Sequence, residues 1–150
     1  KANWEKLKLK EGNKSVLEGV PKSLPAIVKS FRIQEKVRGI GFDWDDKSQV
    51  WEKVLEEIEE LKVEIKKGDH DRIESEFGDV LFALTNYARF IDVNPEDALE
   101  RTNKRFIKRF QIMEQEINNE GKDFSEMSLS EMDVYWKQAK KMYYTSNETV

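Results

Sequence analysis

The sequence predicts an all-α protein, a helical bundle of about five helices. Apolar residues recur at three- and four-residue steps along most of the chain, and no segment alternates as a half-buried strand does. The 150 residues include only seven glycines and three prolines, and most of these stand near the points where the periodic segments begin or end. A chain of this length has the size of one ordinary domain and buries enough surface to fold without disulfides.

The first two helices follow from this spacing. Pro25 precedes a periodic segment that runs toward Gly39. The second helix is expected to begin near Ser48, after an acidic loop. It should end at Gly68, with the residues 66–67 (KK) at the negative end of the helix dipole.

Three further helices are marked by their capping residues. Asp69 or Asp71 caps the third, which runs to about Ile91. Residues 94–95 (NP) begin the fourth, since a capping side chain precedes a proline at the first helical position. Residues 128–131 (SLSE) fit a capping box in front of the last helix.

We expect the domain to span residues 21–143. Residues 1–20 are weakly periodic and rich in Lys and Glu, which predicts an N-terminal arm or a linker. The polar residues 144–150 predict a flexible tail. The chain begins at Lys1 rather than Met, which fits either a piece of a longer protein or a trimmed terminus.

Composition excludes several classes of function. Charged residues make up 37% of the chain with a net charge of −4, and both signs are interspersed, which argues against a nucleic-acid polymer as partner. No apolar run approaches the roughly 20 residues of a membrane span. There is no cysteine, so disulfides, thiolate zinc sites and a cysteine nucleophile are excluded. The absence of cysteine is compatible with a cytoplasmic protein, which is the location we expect.

Two pairs of carboxylates form the most informative pattern. Glu57 and Glu60 share one face of the second helix, and Glu76 and Asp79 have the same spacing on the third. The short turn makes these helices antiparallel. Counted outward from the turn, each cross-helix pair differs by two residues, or about 3 Å. All four carboxylates are therefore expected in one patch.

Four like charges so close together favour a bound hard cation, Mg²⁺, Mn²⁺ or Ca²⁺. Such a site suits phosphate chemistry, because Mg²⁺ commonly binds substrate phosphates. The alternative is a solvated acidic helix face. A di-iron carboxylate bundle would need Glu-x-x-His on two helices, and the only histidine, His70, lies in the turn.

A basic stripe on the fourth helix complements the acidic patch. Arg101, Arg105 and Arg109 are spaced by four residues, and arginine forks match phosphate oxygens. A polyphosphate held between this stripe and the metal patch is one interpretation, and a solvated basic face is the other. Trp136, near the chain end, is equally compatible with core packing and with stacking on a base.

Several short motifs occur in a fixed order: residues 15–21 (SVLEGVP), 24–26 (LPA), 41–44 (GFDW), 56–60 (EEIEE), 76–83 (EFGDVLFA), 86–89 (NYAR), 103–106 (NKRF) and 108–110 (KRF). This ordered set resembles the MazG family, within the all-α nucleoside triphosphate pyrophosphohydrolase superfamily. The resemblance covers about residues 15–140, and the lead-in at 15–26 looks like that of a C-terminal MazG domain.

The resemblance implies hydrolysis of nucleoside triphosphates to the monophosphate and pyrophosphate with Mg²⁺, for which Mn²⁺ substitutes. It also implies a homodimer and a metal site like that of a four-helix bundle. By resemblance, the metal ligands are Glu57, Glu60, Glu76 and Asp79, and the catalytic residues are Glu56, Glu57 and Glu60. The substrate contacts implied in the same way are Lys53, Arg72, Arg105, Arg109 and Trp136. Arg72 and Arg105 stand where some members carry lysine, which keeps the charge and changes the reach.

Two alternatives remain open at this point. One is a sibling activity in the same superfamily, such as a dUTP or dCTP pyrophosphatase. The other is a non-catalytic helical dimerisation or regulatory domain whose acidic patch binds a cation.

Overall fold

The fold follows from a computed structural model, which describes Trp4, Lys6, Leu7, Gly12 and residues 15–147. Residues 15–147 form five α-helices and no strand, so the predicted all-α class is confirmed. The helices are α1 (Ala26–Arg38), α2 (Lys47–Lys67), α3 (His70–Phe90), α4 (Pro95–Asn119) and α5 (Leu129–Asn147), with a short 3₁₀ turn at Phe124–Glu126. None of the described helices is long and apolar enough to cross a membrane.

The capping residues set the α2–α3 hairpin. The Asp46 side chain accepts a hydrogen bond from the Ser48 N–H at the start of α2. Gly68 ends α2 with φ at 79°, a left-handed conformation that favours glycine. Asp69 then accepts from two N–H groups at the start of α3. Because so few residues separate the helices, α2 and α3 lie antiparallel and pack along their length.

The chain divides into two compact units, residues 1–96 and residues 97–150. In the first unit, α1 packs on α3, and the buried Gln34 side chain donates a hydrogen bond of 2.9 Å to the Phe82 carbonyl. Val50 and Val54 of α2 are among its most deeply buried side chains. Half of the expected N-terminal arm lies outside the described residues, and residues 16–19 form turns.

The second unit is built on α5 and most of α4. Its core cluster contains Met113, Ile117, Tyr135 and Ala139. The Ser128 hydroxyl accepts from the Glu131 N–H, as expected from the capping-box pattern. Helix α5 continues to Asn147, through residues where the sequence suggests a tail, since side chains at its end hydrogen-bond to carbonyls one turn back.

Candidate metal centre

The facing sides of α2 and α3 bring acidic side chains together. Glu57, Glu76 and Asp79 each offer a carboxylate oxygen, and these oxygens lie within 4.8 Å of one another. The Glu57 side chain is only 9% exposed. The Oε2 atoms of Glu57 and Glu76 are buried and have no hydrogen-bond partner among the described residues. Unpaired buried carboxylate oxygens are costly, so this donor set fits a hard divalent cation.

Glu60 lies beside this group on the exposed side. A hydrogen-bonding contact with Glu57, the negative charge of Glu57, burial and the charge of Glu76 together raise the pKa of Glu60. The pKa of Glu76 is raised by burial first and then by the charges of Asp79, Glu57 and Glu64, with a hydrogen bond to Glu60 acting in the opposite direction. The carboxylates therefore repel one another, and a bound cation would remove this repulsion.

Glu64 is a member of the acidic face that the sequence analysis missed. Its side chain is largely buried, its Oε2 has no partner among the described residues, and its other oxygen lies 3.7 Å from the Lys67 ammonium. The signal was present in the sequence, because Glu57, Glu60 and Glu64 follow the i, i+3, i+7 spacing of one helix face.

Lys53 and Glu56 stand at the edge of the carboxylates. The Lys53 ammonium is 3.0 Å from Glu57 Oε1 and 3.5 Å from Glu56 Oε1. The hydrogen bond to Glu57 raises the pKa of Lys53, against the smaller effect of burial. Arg72, at the start of α3, is exposed and lies 3.7 Å from Asp69. Lys53 and Arg72, two of the substrate contacts that the resemblance implies, therefore both lie in the first unit.

The three arginines of α4 do not share one environment. Arg101 and Arg105 line a shallow cavity of about 370 Å³ with Lys104, Lys108 and acidic residues at its edge. The Arg109 guanidinium instead lies 5.1 and 4.8 Å from the rings of Tyr143 and Tyr144. Its Nε and Nη2 are buried without a partner among the described residues. A four-residue step advances about 40° around a helix, so the stripe turns from the surface toward α5.

Trp136 belongs to an aromatic cluster of the second unit. Its ring centroid lies 5.2 Å from that of Phe106, and the Lys140 ammonium lies 5.7 Å from the Trp136 centroid. The ring lines an apolar cavity of about 540 Å³ between α4 and α5. Trp136 therefore packs on the core and also borders an open cavity, so both sequence interpretations remain compatible with its position.

Comparison with known proteins identifies the domain type. Residues 46–112 match the MazG nucleotide pyrophosphohydrolase domain. The nucleoside triphosphate pyrophosphohydrolase/pyrophosphatase MazG of Thermotoga maritima is 40% identical over 140 residues, and the match covers 91% of this chain and 54% of that protein. The nucleoside triphosphate pyrophosphohydrolase of Escherichia coli K12 is 35% identical over 146 residues, covering 93% of this chain and 56% of that protein.

This chain spans about half the length of these two curated relatives. A third relative, the uncharacterized protein YabN of Bacillus subtilis, is 45% identical over 144 residues, which cover 93% of this chain and 29% of YabN. In all three cases more than nine-tenths of the present chain is matched.

Proposed function

Since the chain belongs to the MazG family, we propose that it hydrolyses nucleoside triphosphates to nucleoside monophosphates and pyrophosphate, with Mg²⁺ as cofactor and Mn²⁺ as a substitute. The observation that carries this proposal is the carboxylate cluster of Glu57, Glu76 and Asp79, which fits a hard cation. The names of the Thermotoga maritima and Escherichia coli relatives support the substrate class. We place the activity in the cytoplasm, where nucleoside triphosphates are made and used.

The cation would be held by Glu57, Glu76 and Asp79, with Glu60 as the fourth ligand. Bound there, Mg²⁺ would supply neutralisation of phosphate charge and polarisation of the attacking water. The Lys53 ammonium lies 3.0 Å from the Glu57 carboxylate one turn away on α2 and holds it in place. The same ammonium would place a positive charge beside the phosphates of the substrate.

Glu56 is the candidate base in this proposal. It is more than half exposed and shares Lys53 with Glu57, so it stands at the edge of the ligand group. There it would take the proton of a water molecule that attacks the α-phosphorus. The bond from the α-phosphorus to the oxygen that bridges it to the β-phosphorus breaks, and pyrophosphate leaves with that oxygen. Arg72, Arg105 and Arg109 would balance phosphate charge, and Trp136 would contact the nucleoside.

A product assay tests the proposed reaction. The protein is incubated with each ribo- and deoxyribonucleoside triphosphate, including dUTP and dCTP, with Mg²⁺ or with EDTA. We expect the monophosphate and pyrophosphate in equal amounts with Mg²⁺ and no product with EDTA. Release of orthophosphate from the triphosphate would contradict the proposal. Thermal stabilisation by Mg²⁺ without turnover of any substrate would favour a non-catalytic cation-binding domain.

The proposal includes a homodimer. Phe77, Leu81 and Leu84 follow the i, i+4, i+7 spacing on α3, and each side chain is 41–54% exposed. Monomeric proteins rarely expose contiguous apolar surface of this kind. Sedimentation should give twice the chain mass, and Leu81→Glu should shift the protein toward the monomer. Ile107→Glu, at an equally exposed apolar residue of α4, is the matched control. A wild-type monomer at all concentrations would contradict a dimer.

A further inference from the structure

The Arg109 side chain lies against two aromatic rings in the second unit. Its guanidinium carbon is 5.1 Å from the ring centroid of Tyr143 and 4.8 Å from that of Tyr144. The two rings contact each other edge to face, with their centroids 5.7 Å apart. Aromatic faces attract a guanidinium, and the attraction is strongest where water is excluded. The tyrosine pair, Tyr143 and Tyr144, therefore restricts where this cation can lie.

Helix periodicity explains why these side chains meet. Arg109 lies one turn before Met113 on α4, and Tyr143 lies one turn after Ala139 on α5. Met113 and Ala139 belong to the core cluster of the unit. Residues four apart share a helix face, so Arg109 and Tyr143 continue the two core faces beyond the cluster. The guanidinium is therefore held between α4 and α5.

One edge of this guanidinium has no partner. Arg109 Nε and Nη2 are buried and make no hydrogen bond to any of the described residues. These two nitrogens form the side of the guanidinium whose parallel N–H groups can bind two oxygens of a phosphate or a carboxylate at once. A buried donor without an acceptor is costly, so two such donors on one edge indicate an oxyanion as ligand.

A basic cavity adjoins the tyrosine pair. Tyr143 also lines the cavity of about 370 Å³ whose basic lining residues are Arg101, Lys104, Arg105 and Lys108. These four cations outnumber the two carboxylates on the same cavity, those of Asp97 and Glu100. The excess of positive charge attracts phosphates. Tyr143 is thus in contact with both the cavity and the Arg109 guanidinium.

We infer that Tyr143 and Tyr144 are positioning residues, which hold the Arg109 guanidinium so that its unpaired edge binds a phosphate group of the substrate. The inference rests on the proposed function for the identity of that substrate. Arg109 as a whole is only half-buried, and the phosphate reaches it from the side of the basic cavity. Ordering a free arginine side chain upon binding costs affinity, and the two rings remove this cost in advance.

Calorimetry with inorganic tripolyphosphate measures the effect on phosphate binding. Tyr143→Leu/Tyr144→Leu, the leucine pair, should weaken the binding of tripolyphosphate about tenfold. Tyr143→Phe/Tyr144→Phe should bind it as the wild type does, because the contact uses the faces of the rings. Met142→Ala is the matched control, since Met142 is 46% exposed on the same turn of α5 and should leave the affinity unchanged.

A double-mutant cycle shows whether the rings act through Arg109. Arg109→Gln should itself weaken the binding of tripolyphosphate, and the leucine pair should have no further effect when it is combined with Arg109→Gln. A loss of affinity that persists in the Arg109→Gln background would overturn the inference. Equal losses in the leucine and phenylalanine pairs, or no loss in the leucine pair, would overturn it as well.

Kinetic constants separate positioning from a general loss of structure. The leucine pair should raise the KM for the nucleoside triphosphate about tenfold and change kcat by less than about twofold, because Arg109 contacts phosphate both in the bound substrate and in the transition state. Partial unfolding would instead remove active molecules, which lowers kcat and leaves KM unchanged. That second pattern would contradict a positioning role.

The binding experiment does not depend on turnover, so the two proposals can fail separately. A loss of tripolyphosphate affinity that requires both the rings and Arg109, together with a failed product assay, would support the positioning of Arg109 and contradict the hydrolysis. Hydrolysis by the leucine pair with unchanged KM and unchanged tripolyphosphate affinity would support the reaction and overturn the inference.

Discussion

Replacement of Glu76 by glutamine is expected to reduce turnover about a thousandfold and, at the same time, to raise the melting temperature of the metal-free protein. Removal of a metal ligand is expected to cost several kcal/mol of transition-state stabilisation, and each 1.4 kcal/mol is a factor of about ten in rate. Glutamine keeps the shape of the side chain and removes its charge. The effect on rate therefore arises at the cation site rather than in the packing of α3.

The increase in stability has a separate cause. Burial and the charges of Asp79, Glu57 and Glu64 raise the pKa of Glu76 in the folded protein. A carboxyl group with a raised folded-state pKa destabilises the fold once pH rises above its ordinary value of 4.5, because the unfolded chain releases its proton more easily. Near neutral pH, an uncharged side chain at residue 76 removes this unfavourable contribution.

Thermal unfolding with and without Mg²⁺ checks this prediction. Wild-type protein should gain stability from Mg²⁺, and Glu76→Gln should gain much less. Glu74→Gln, two residues away on α3 and outside the carboxylate group, should behave as the wild type in turnover and in its response to the cation. Full activity in Glu76→Gln would exclude Glu76 as a ligand.

Asp43→Ala is expected to lower the free energy of unfolding by about 3 kcal/mol, because it removes the partner of a buried cation. The Arg89 side chain is 6% exposed and that of Asp43 is 20% exposed, so solvent replaces little of the lost interaction. Urea denaturation measures the change. Asp45→Ala, an exposed residue of the same loop, should change stability by no more than about 0.5 kcal/mol.

The stabilisation by Asp43 should depend on pH. Burial raises the pKa of Asp43, but hydrogen bonds from Arg89 and Trp44 and the charges of Arg89 and Arg38 outweigh it, so its pKa lies below the ordinary value of 3.8. The contribution is therefore complete well above pH 3.8 and is lost as pH falls through the lower pKa of the folded state. The difference between wild type and Asp43→Ala should shrink in acid, and a difference that grows there would contradict the ion pair.

Much of the local structure could be predicted from the sequence because it depends on neighbours along the chain. The ends of α2 and the start of α3 follow from Asp46, Gly68 and Asp69, whose side chains or backbone conformations act within a few residues. A turn this short also determines that the two helices are antiparallel. The meeting of Glu57 with Asp79 across the hairpin is therefore a consequence of helix rise and turn length.

The contacts that α3 makes with α1 and with the loop before α2 could not be found in the same way. Arg89 and Asp43 are 46 residues apart, and Gln34 and Phe82 are 48 residues apart. Their contacts depend on how α1 and α3 pack against each other, which many distant side chains determine together. The periodicity that locates each helix predicts which of its faces is apolar, but not which residues of another segment that face contacts.

The sequence by itself determined the all-α class, most of the helix boundaries and the alignment of two acidic pairs on adjacent helices, because local hydrogen bonding and helix geometry suffice for each. Tertiary structure alone decided which charges became buried. It buried most of the Glu64 side chain and turned Arg109 toward Tyr143 and Tyr144, whereas Arg101 and Arg105 line an open cavity. Burial depends on packing between segments that are distant in sequence, and a buried charged group is costly unless a partner compensates it.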